Sequence, residues 1–179
     1  MNGEHIKEHT KKDILLRRFS ALILDYLILS LYAGALFLFS PIIGPLFRKS
    51  AWQSEILGLI LLVAPVFFYF FIFEASNRKA TPGKQIFHIK VIKIDGSNFS
   101  YKDSFIRSFV KFIPWEFAHF AIWQLVFSNG NSSMLVEALL ILANILAILC
   151  MAFPFFNKRA RAIHDYVAKT ELTTVLTNI

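Results

Sequence analysis

The sequence predicts an all-α membrane protein with four transmembrane helices and both termini cytoplasmic, carrying a small interfacial helix and a β-hairpin between helices 2 and 3. Three observations carry that expectation. Of the 179 residues, 56% are hydrophobic and only 17% charged, more apolar than an ordinary soluble domain. The apolar residues fall into blocks close to the roughly 20 residues that cross a bilayer as a helix. Lysine and arginine are shared very unequally between the segments joining those blocks.

In chain order, residues 1–16 read as a hydrophilic arm. Residues 17–40 form the first span, around "FSALILDYLILSLYAGALFLFS" with its single charge, Asp25. A block of this length behind such an arm is not a cleavable leader and is expected to stay as an anchor. Residues 53–74 are the second span, built on the uncharged "ILGLILLVAPVFFYFFIF". Residues 105–127 are the third, "FIRSFVKFIPWEFAHFAIWQLVF", with Arg107, Lys111, Glu116 and His119 inside it. For this segment an interfacial helix is the alternative. Crossing is favoured because the chain must return for the fourth span, residues 134–156, to obey the charge asymmetry. Pro65, Pro114 and Pro154 predict kinks where neighbours can satisfy the freed carbonyls.

With Arg107 and Lys111 set aside, the alternate sides of this topology hold fifteen and two basic residues. The positive-inside rule then places both termini and the central module, residues 76–104, in the cytoplasm. The formal charge of +7 is thus a topology signal, with attraction to anionic head groups at the cytoplasmic face, and it does not point to nucleic acid. Cys150 lies alone in the last block, which excludes a disulfide framework and reads as a buried thiol.

The central module opens with Thr81 as a helix N-cap, Pro82 at the first helical position, then Gly83 and Lys84. A short surface helix follows, whose N-terminus could hold an anion such as a lipid phosphate or nothing at all. The Gly-Lys pair lacks the spacing of a phosphate-binding P-loop. β-Branched Ile89, Val91, Ile92 and Ile94 then lead into Asp95-Gly96, a tight-turn dipeptide, with Phe99 and Tyr101 placed to start a return strand. The tail, residues 157–179, carries the threonine-rich stretch 170–177, which can add a third strand.

Charges within the apolar blocks are the candidate site. Arg18, Ala21 and Asp25 share one face of the first helix, but Arg18 and Asp25 stand about 10 Å apart along it. Asp25 therefore needs a partner on another helix, and Arg107 and Lys111 are the nearest in depth. Arg107, Lys111, Trp115 and His119 recur every fourth residue, with Glu116 beside them, so that Glu116 and His119 can pass protons. Such groups either fix helix packing or line an ion or proton path. His164-Asp165 lacks the further ligands of a metal site, no metal or cofactor is expected, and no nucleophile with a matched base suggests an enzyme.

Three pieces, "RRFSALILDYLIL", "TPGKQIFHIKVIKIDG" and "RARAIHDYVAKT", stand in the order and spacing that resembles the RDD family of bacterial membrane proteins, named for one arginine and two aspartates. The resemblance runs from about residue 17 to 175. It matches the named residues to Arg18, Asp25 and Asp165, and the loop signature to Thr81, Pro82, Gly83, Lys84, Asp95 and Gly96. Members often have glycine where His88 stands, and a Gly-Thr pair where this chain has Ala168, Lys169 and Thr170. The resemblance implies a multi-pass protein of the bacterial inner membrane that acts in transport, with cation/proton antiport proposed for some members and no catalytic residues. The expectation is a small transporter or transporter subunit, homo-oligomeric or with a membrane partner. Asp25 would exchange the ion, Arg18 tune it, and Asp165 latch a basic residue. The alternative is a non-transporting assembly subunit whose buried charges only fix packing.

Overall fold

The computed structural model describes residues 10–129, 131 and 133–175, so the first nine residues of the expected arm and the last four of the tail lie outside them. Helix α1 (Lys11–Leu38) opens on Thr10, whose hydroxyl accepts from the Asp13 N–H. That cap, and the Asp13–Arg17 pair at 3.0 Å one turn on, start the helix six residues before the expected boundary at 17. The chain turns back through α2 (Ser40–Ile43) and a 3₁₀ turn (Gly44–Arg48) into α3 (Ala51–Gly58), capped by Ser50.

Between α3 and α4 (Ala64–Ala75) the helix widens into a π segment (Leu59–Val63) without ending. Pro65 explains it: proline has no N–H for the carbonyl four residues earlier, and its ring pushes that carbonyl away. The freed carbonyl belongs to Leu61, and the Tyr32 hydroxyl of α1 donates to it at 2.5 Å. Helices α6 (Tyr101–Phe127) and α7 (Met134–Phe156) instead continue across Pro114 and Pro154.

Among the described residues, three helices are long and apolar enough to cross a membrane: Lys11–Leu38, the continuous run Ala51–Ala75, and Met134–Phe156. Their apolar side chains face outward as well as inward, Leu31, Ile60, Ile72 and Ile148 all being more than half exposed. α6 has 27 residues and packs on α3, α4 and α7, but it carries Arg107, Lys111 and Glu116 in its length.

The hairpin expectation needs correcting. The Asp95-Gly96 turn forms, with Gly96 at φ +73° and the Asp95 Oδ1 accepting from the Ser97 N–H at 3.0 Å. No return strand follows it, because Ser100 and Asp103 form a capping box that begins α6 at Tyr101. Strand β1 (Ile89–Lys93) pairs instead with the tail strand β2 (Thr170–Thr174), antiparallel, with Ile89 opposite Thr174 and Lys93 opposite Thr170. The tail is thus the second strand of a two-stranded ribbon, the third strand being absent among the described residues. Such a ribbon is marginal alone. Ile89 and Val91, both fully buried, and Leu172 close with Phe99 over Ala21 of α1, which supplies the missing layer. His88, where members often have glycine, and Lys169, which splits the expected Gly-Thr pair, both take φ +52°, the left-handed region that costs an L-residue about 1 kcal/mol.

Short helices α5 (Pro82–Ile86) and α8 (Ile163–Val167) complete the fold, α5 lying against α1 and α8 against α6. Gly83 makes the first contact possible. A Cβ there would stand 2.2 Å from the Ala21 carbonyl oxygen and 2.7 Å from the Asp25 carboxylate. Gly83→Ala is expected to cost about 1–3 kcal/mol through forced separation of α5 from α1. An unchanged thermal midpoint in detergent would show that the helices do not approach this closely.

Candidate functional site

Burying a carboxylate in an apolar helix bundle is costly unless donors or cations surround it, so each acidic residue here can be followed to what satisfies it. Asp25 is 1% exposed. Its Oδ2 accepts from the Thr81 hydroxyl at 2.6 Å, and its Oδ1 from the Gly83 N–H and the Tyr69 hydroxyl, both at 2.8 Å. The anion at the N-terminus of α5 is therefore this internal carboxylate, seated on the Gly83 N–H and the Thr81 hydroxyl of the Thr-Pro-Gly-Lys turn, and not a lipid phosphate. Thr81 does double duty, since its hydroxyl oxygen also accepts from the Lys84 N–H at 3.3 Å.

Next along α5, Lys84 pairs with Glu74 at the end of α4. Glu74, fully buried, also accepts from the Arg107 Nε at 2.9 Å and lies 3.4 Å from the Lys111 ammonium. Lys111 in turn rests over the Phe70 ring, 4.1 Å from its centroid. Arg107 is fully buried, and its Nη1 donates to Asp165 and to the Thr170 hydroxyl at the start of β2. Asp165 receives Arg18 Nη1 at 2.7 Å on its other oxygen, which also accepts from the Ala162 N–H at 2.6 Å. Arg18 Nη1 donates to the Ala160 carbonyl as well, and its Nη2 lies 3.1 Å from the His164 Nε2.

These links close on themselves. From Asp25 on α1 they run through α5, Glu74 of α4, Arg107 of α6 and Asp165 of α8, and return through Arg18 to α1. Burial alone would raise the Asp165 carboxyl, but Arg18 and Arg107 outweigh it and hold it well below the usual carboxylate range. Burial pushes the His164 imidazole well below its usual range, with Lys111, Arg107 and Arg18 adding to that against Asp165. His164 is thus neutral and accepts from Arg18.

A second cluster sits farther along α6. His119 Nδ1 lies 3.2 Å from Glu55 Oε1 of α3, Trp123 Nε1 donates to His119 Nε2 at 3.0 Å, and Glu116 completes the group. One ligand atom from each of Glu55, Glu116 and His119 lies within 4.8 Å of the others, the spacing of a metal-ligand set. Gly58 lets the imidazole lie against α3, since a Cβ there would stand 2.2 Å from His119 Nε2. Two cavities join the clusters. One of about 210 Å³ is lined by Arg18, Asp25, Lys84 and His164, the other of about 390 Å³ by Tyr32, Phe112 and His119. Tyr26, Phe70, Lys111 and Trp115 line both.

Of the residues singled out from sequence, Arg18, Asp25, Arg107, Lys111 and Asp165 meet in the ring, together with Thr81, Gly83 and Lys84. Pro82 opens α5, while Asp95 and Gly96 form the exposed turn beyond β1. Glu116 and His119 belong to the second cluster. The expected partner of Asp25 was wrong: Arg107 and Lys111 serve Glu74, and Asp25 is held by three neutral donors. Glu74 and Glu55 escaped the sequence reading because each borders the uncharged block 56–73, where a carboxylate reads as an end in water. Tyr69 and Thr170 gave no signal beyond a hydroxyl in an apolar or strand-like context.

Outward-facing apolar helices around buried ion pairs define an integral membrane protein. A family model described as the RDD family matches residues 14–169, nearly the whole chain, and the chain belongs to that family of membrane proteins. No curated protein and no solved structure matches it.

Asp165→Asn is expected to cost about 3–5 kcal/mol, because Arg107 and Arg18 lose the carboxylate between them. His164 adds a pH dependence. Its unfolded form takes up a proton below about pH 6.5 that the folded form refuses, so stability falls as the pH drops through that value. Asp165 works lower, its contribution being lost progressively as the pH falls from the ordinary aspartate range through its depressed folded value. Melting in detergent should show a decline below about pH 6.5 that is smaller in His164→Gln. A flat profile in the unaltered chain would mean that His164 is not buried neutral.

Proposed function

We propose that the chain is a small proton-coupled cation transporter, or a subunit of one, in the bacterial inner membrane, with both termini cytoplasmic and α6 as a fourth spanning helix. The observation that carries this reading is the pair of abutting cavities, which share Lys111 and Trp115 and reach from the buried charge ring to His119. Ionisable groups inside a membrane bundle are costly, and a chain of them along a cavity is what a path for ions or protons needs. The fifteen-to-two division of basic residues supports the orientation, since the ring, the ribbon and the start of α1 gather at the richly basic end.

Within this reading the roles differ from those first expected. Asp25, held by three donors, ties α5 to α1, and Arg18 and Asp165 close the ring. Exchange falls to Lys111, which faces both cavities, and to Glu116 and His119 beyond it. A bundle this small encloses little room, so a second copy or a membrane partner completes the path, with anionic lipid head groups around the basic end. The non-transporting assembly reading draws on one observation, the fully satisfied Asp25, which needs only a packing role.

Flux decides between them. In proteoliposomes under an imposed pH gradient, the unaltered chain should drive cation exchange above empty vesicles. Lys111→Gln should lower it about tenfold, and Lys102→Gln at the start of α6 should not. No flux from well-folded protein, or equal flux from Lys111→Gln, would remove the transport reading and leave the assembly role.

A further inference from the structure

We infer that Glu55 and Glu116 hold one exchangeable proton between them, forming an intramembrane proton-binding site separate from the charge ring. Glu55 is 7% exposed, and its Oε1 faces the Nδ1 of His119 at 3.2 Å. The tautomer of that imidazole is fixed by chemistry: an indole N–H can only donate, so Trp123 makes His119 Nε2 the acceptor at 3.0 Å. The hydrogen of a neutral ring is then on Nδ1, which donates to Glu55 Oε1. That leaves Glu55 Oε2 and Glu116 Oε2, both buried and neither with a donor among the described residues.

A hydrogen bond between the two carboxyl groups, whose facing oxygens lie within 4.8 Å of each other, would give these orphaned atoms a partner. Two carboxylates cannot make that bond, because each offers only lone pairs. One proton between them completes it, satisfies both orphaned oxygens and leaves the pair with one negative charge instead of two in a low-dielectric place. Among the described residues, the neighbouring elements supply no cation in its place. On α6, Lys111 faces the adjoining cavity but is engaged with Glu74; α1 brings only Tyr26 and Tyr32, the latter donating to Leu61; the turn before α3 brings Phe47, stacked on Trp123; α7 brings no group to that cavity.

A divalent metal would suit the residue types and the 4.8 Å spacing, but not the hydrogen bonds. Bound at Nδ1, it would move the ring hydrogen to Nε2 and set it against the Trp123 N–H, which has no second direction to turn. A proton uses the geometry as it stands. The site does not depend on transport; only its use as the coupling site rests on the transport reading.

The test is the infrared C=O band of protonated carboxyl groups, read on the full chain in lipid nanodiscs through a pH titration. The proposal expects such a band near neutral pH, its loss on alkaline titration, its shift when glutamate but not aspartate is isotopically labelled, and its absence from the Glu55→Gln, Glu116→Gln double variant. Asp25→Asn should keep it. No protonated-carboxyl band near neutral pH, a band that moves with labelled aspartate, or one that persists in the double variant overturns the proposal. So does stoichiometric Zn²⁺ uptake that the double variant abolishes, since the pair would then be a metal site. The labelling reads the unaltered chain and stands even if the double variant does not fold. A dyad band without flux in the vesicle assay would overturn transport and leave this site intact.

Discussion

Arg107 holds two carboxylates at once, Glu74 through Nε and Asp165 through Nη1, with no part of its side chain in water. Each acid is fully buried against it, and the guanidinium could not be there without them. From this double contact the ends of the chain acquire fixed positions. Asp165 brings α8 and Arg18 of α1 onto α6. Thr170, which also accepts from Arg107, sets where β2 begins, and hence the register with β1. Glu74 holds Lys84, and the residue before it, Gly83, seats Asp25. A single planar cation thus ties together two membrane helices, a loop helix and the tail, segments separated by most of the sequence.

The ring is satisfied almost throughout, Arg107 Nη2 being its one buried polar atom without a partner among the described residues, and its chemistry is that of a clasp: short contacts, full burial of Arg107, Glu74 and Asp165, and a carboxylate at Asp165 that two guanidinium groups keep ionised. The outer cluster has a different character. Among the described residues, its two glutamates leave one oxygen each without a donor, and the one lysine or arginine lining the adjoining cavity, Lys111, is turned to Glu74. Closed and densely partnered groups resist exchange; open ones invite it. The division of labour proposed for the two ends of α6 follows from that contrast, with Lys111 and Trp115 on the boundary between the cavities.

Local signals were legible in the sequence and distant ones were not. The last span, 134–156, coincides with α7, and the Thr81 cap and the Asp95-Gly96 turn stand where their residue types place them. The strand at 89–93 was legible as well, but its partner was not. Tight-turn chemistry favours the nearest return strand, and only the Ser100–Asp103 capping box and the burial of Leu172 against Val91 and Ile89 send the pairing to the tail. Charged residues divided in the same way. Arg18, Asp25, Arg107 and Asp165 stood out because their surroundings are apolar or patterned, whereas Glu55 and Glu74 sit at the ends of an apolar block and become buried only when α6 packs on them.

Amide hydrogen exchange of β2 tests the central role of Arg107 most directly. In the unaltered chain in lipid nanodiscs, the N–H groups of Thr170–Thr174 that pair with β1 should exchange slowly. Arg107→Met should release them together with those of α8, while the middle of α7 keeps its protection. Fast exchange of β2 in the unaltered chain, or protection that survives the loss of Arg107, would contradict the account, because the tail would then be held by something other than the buried guanidinium.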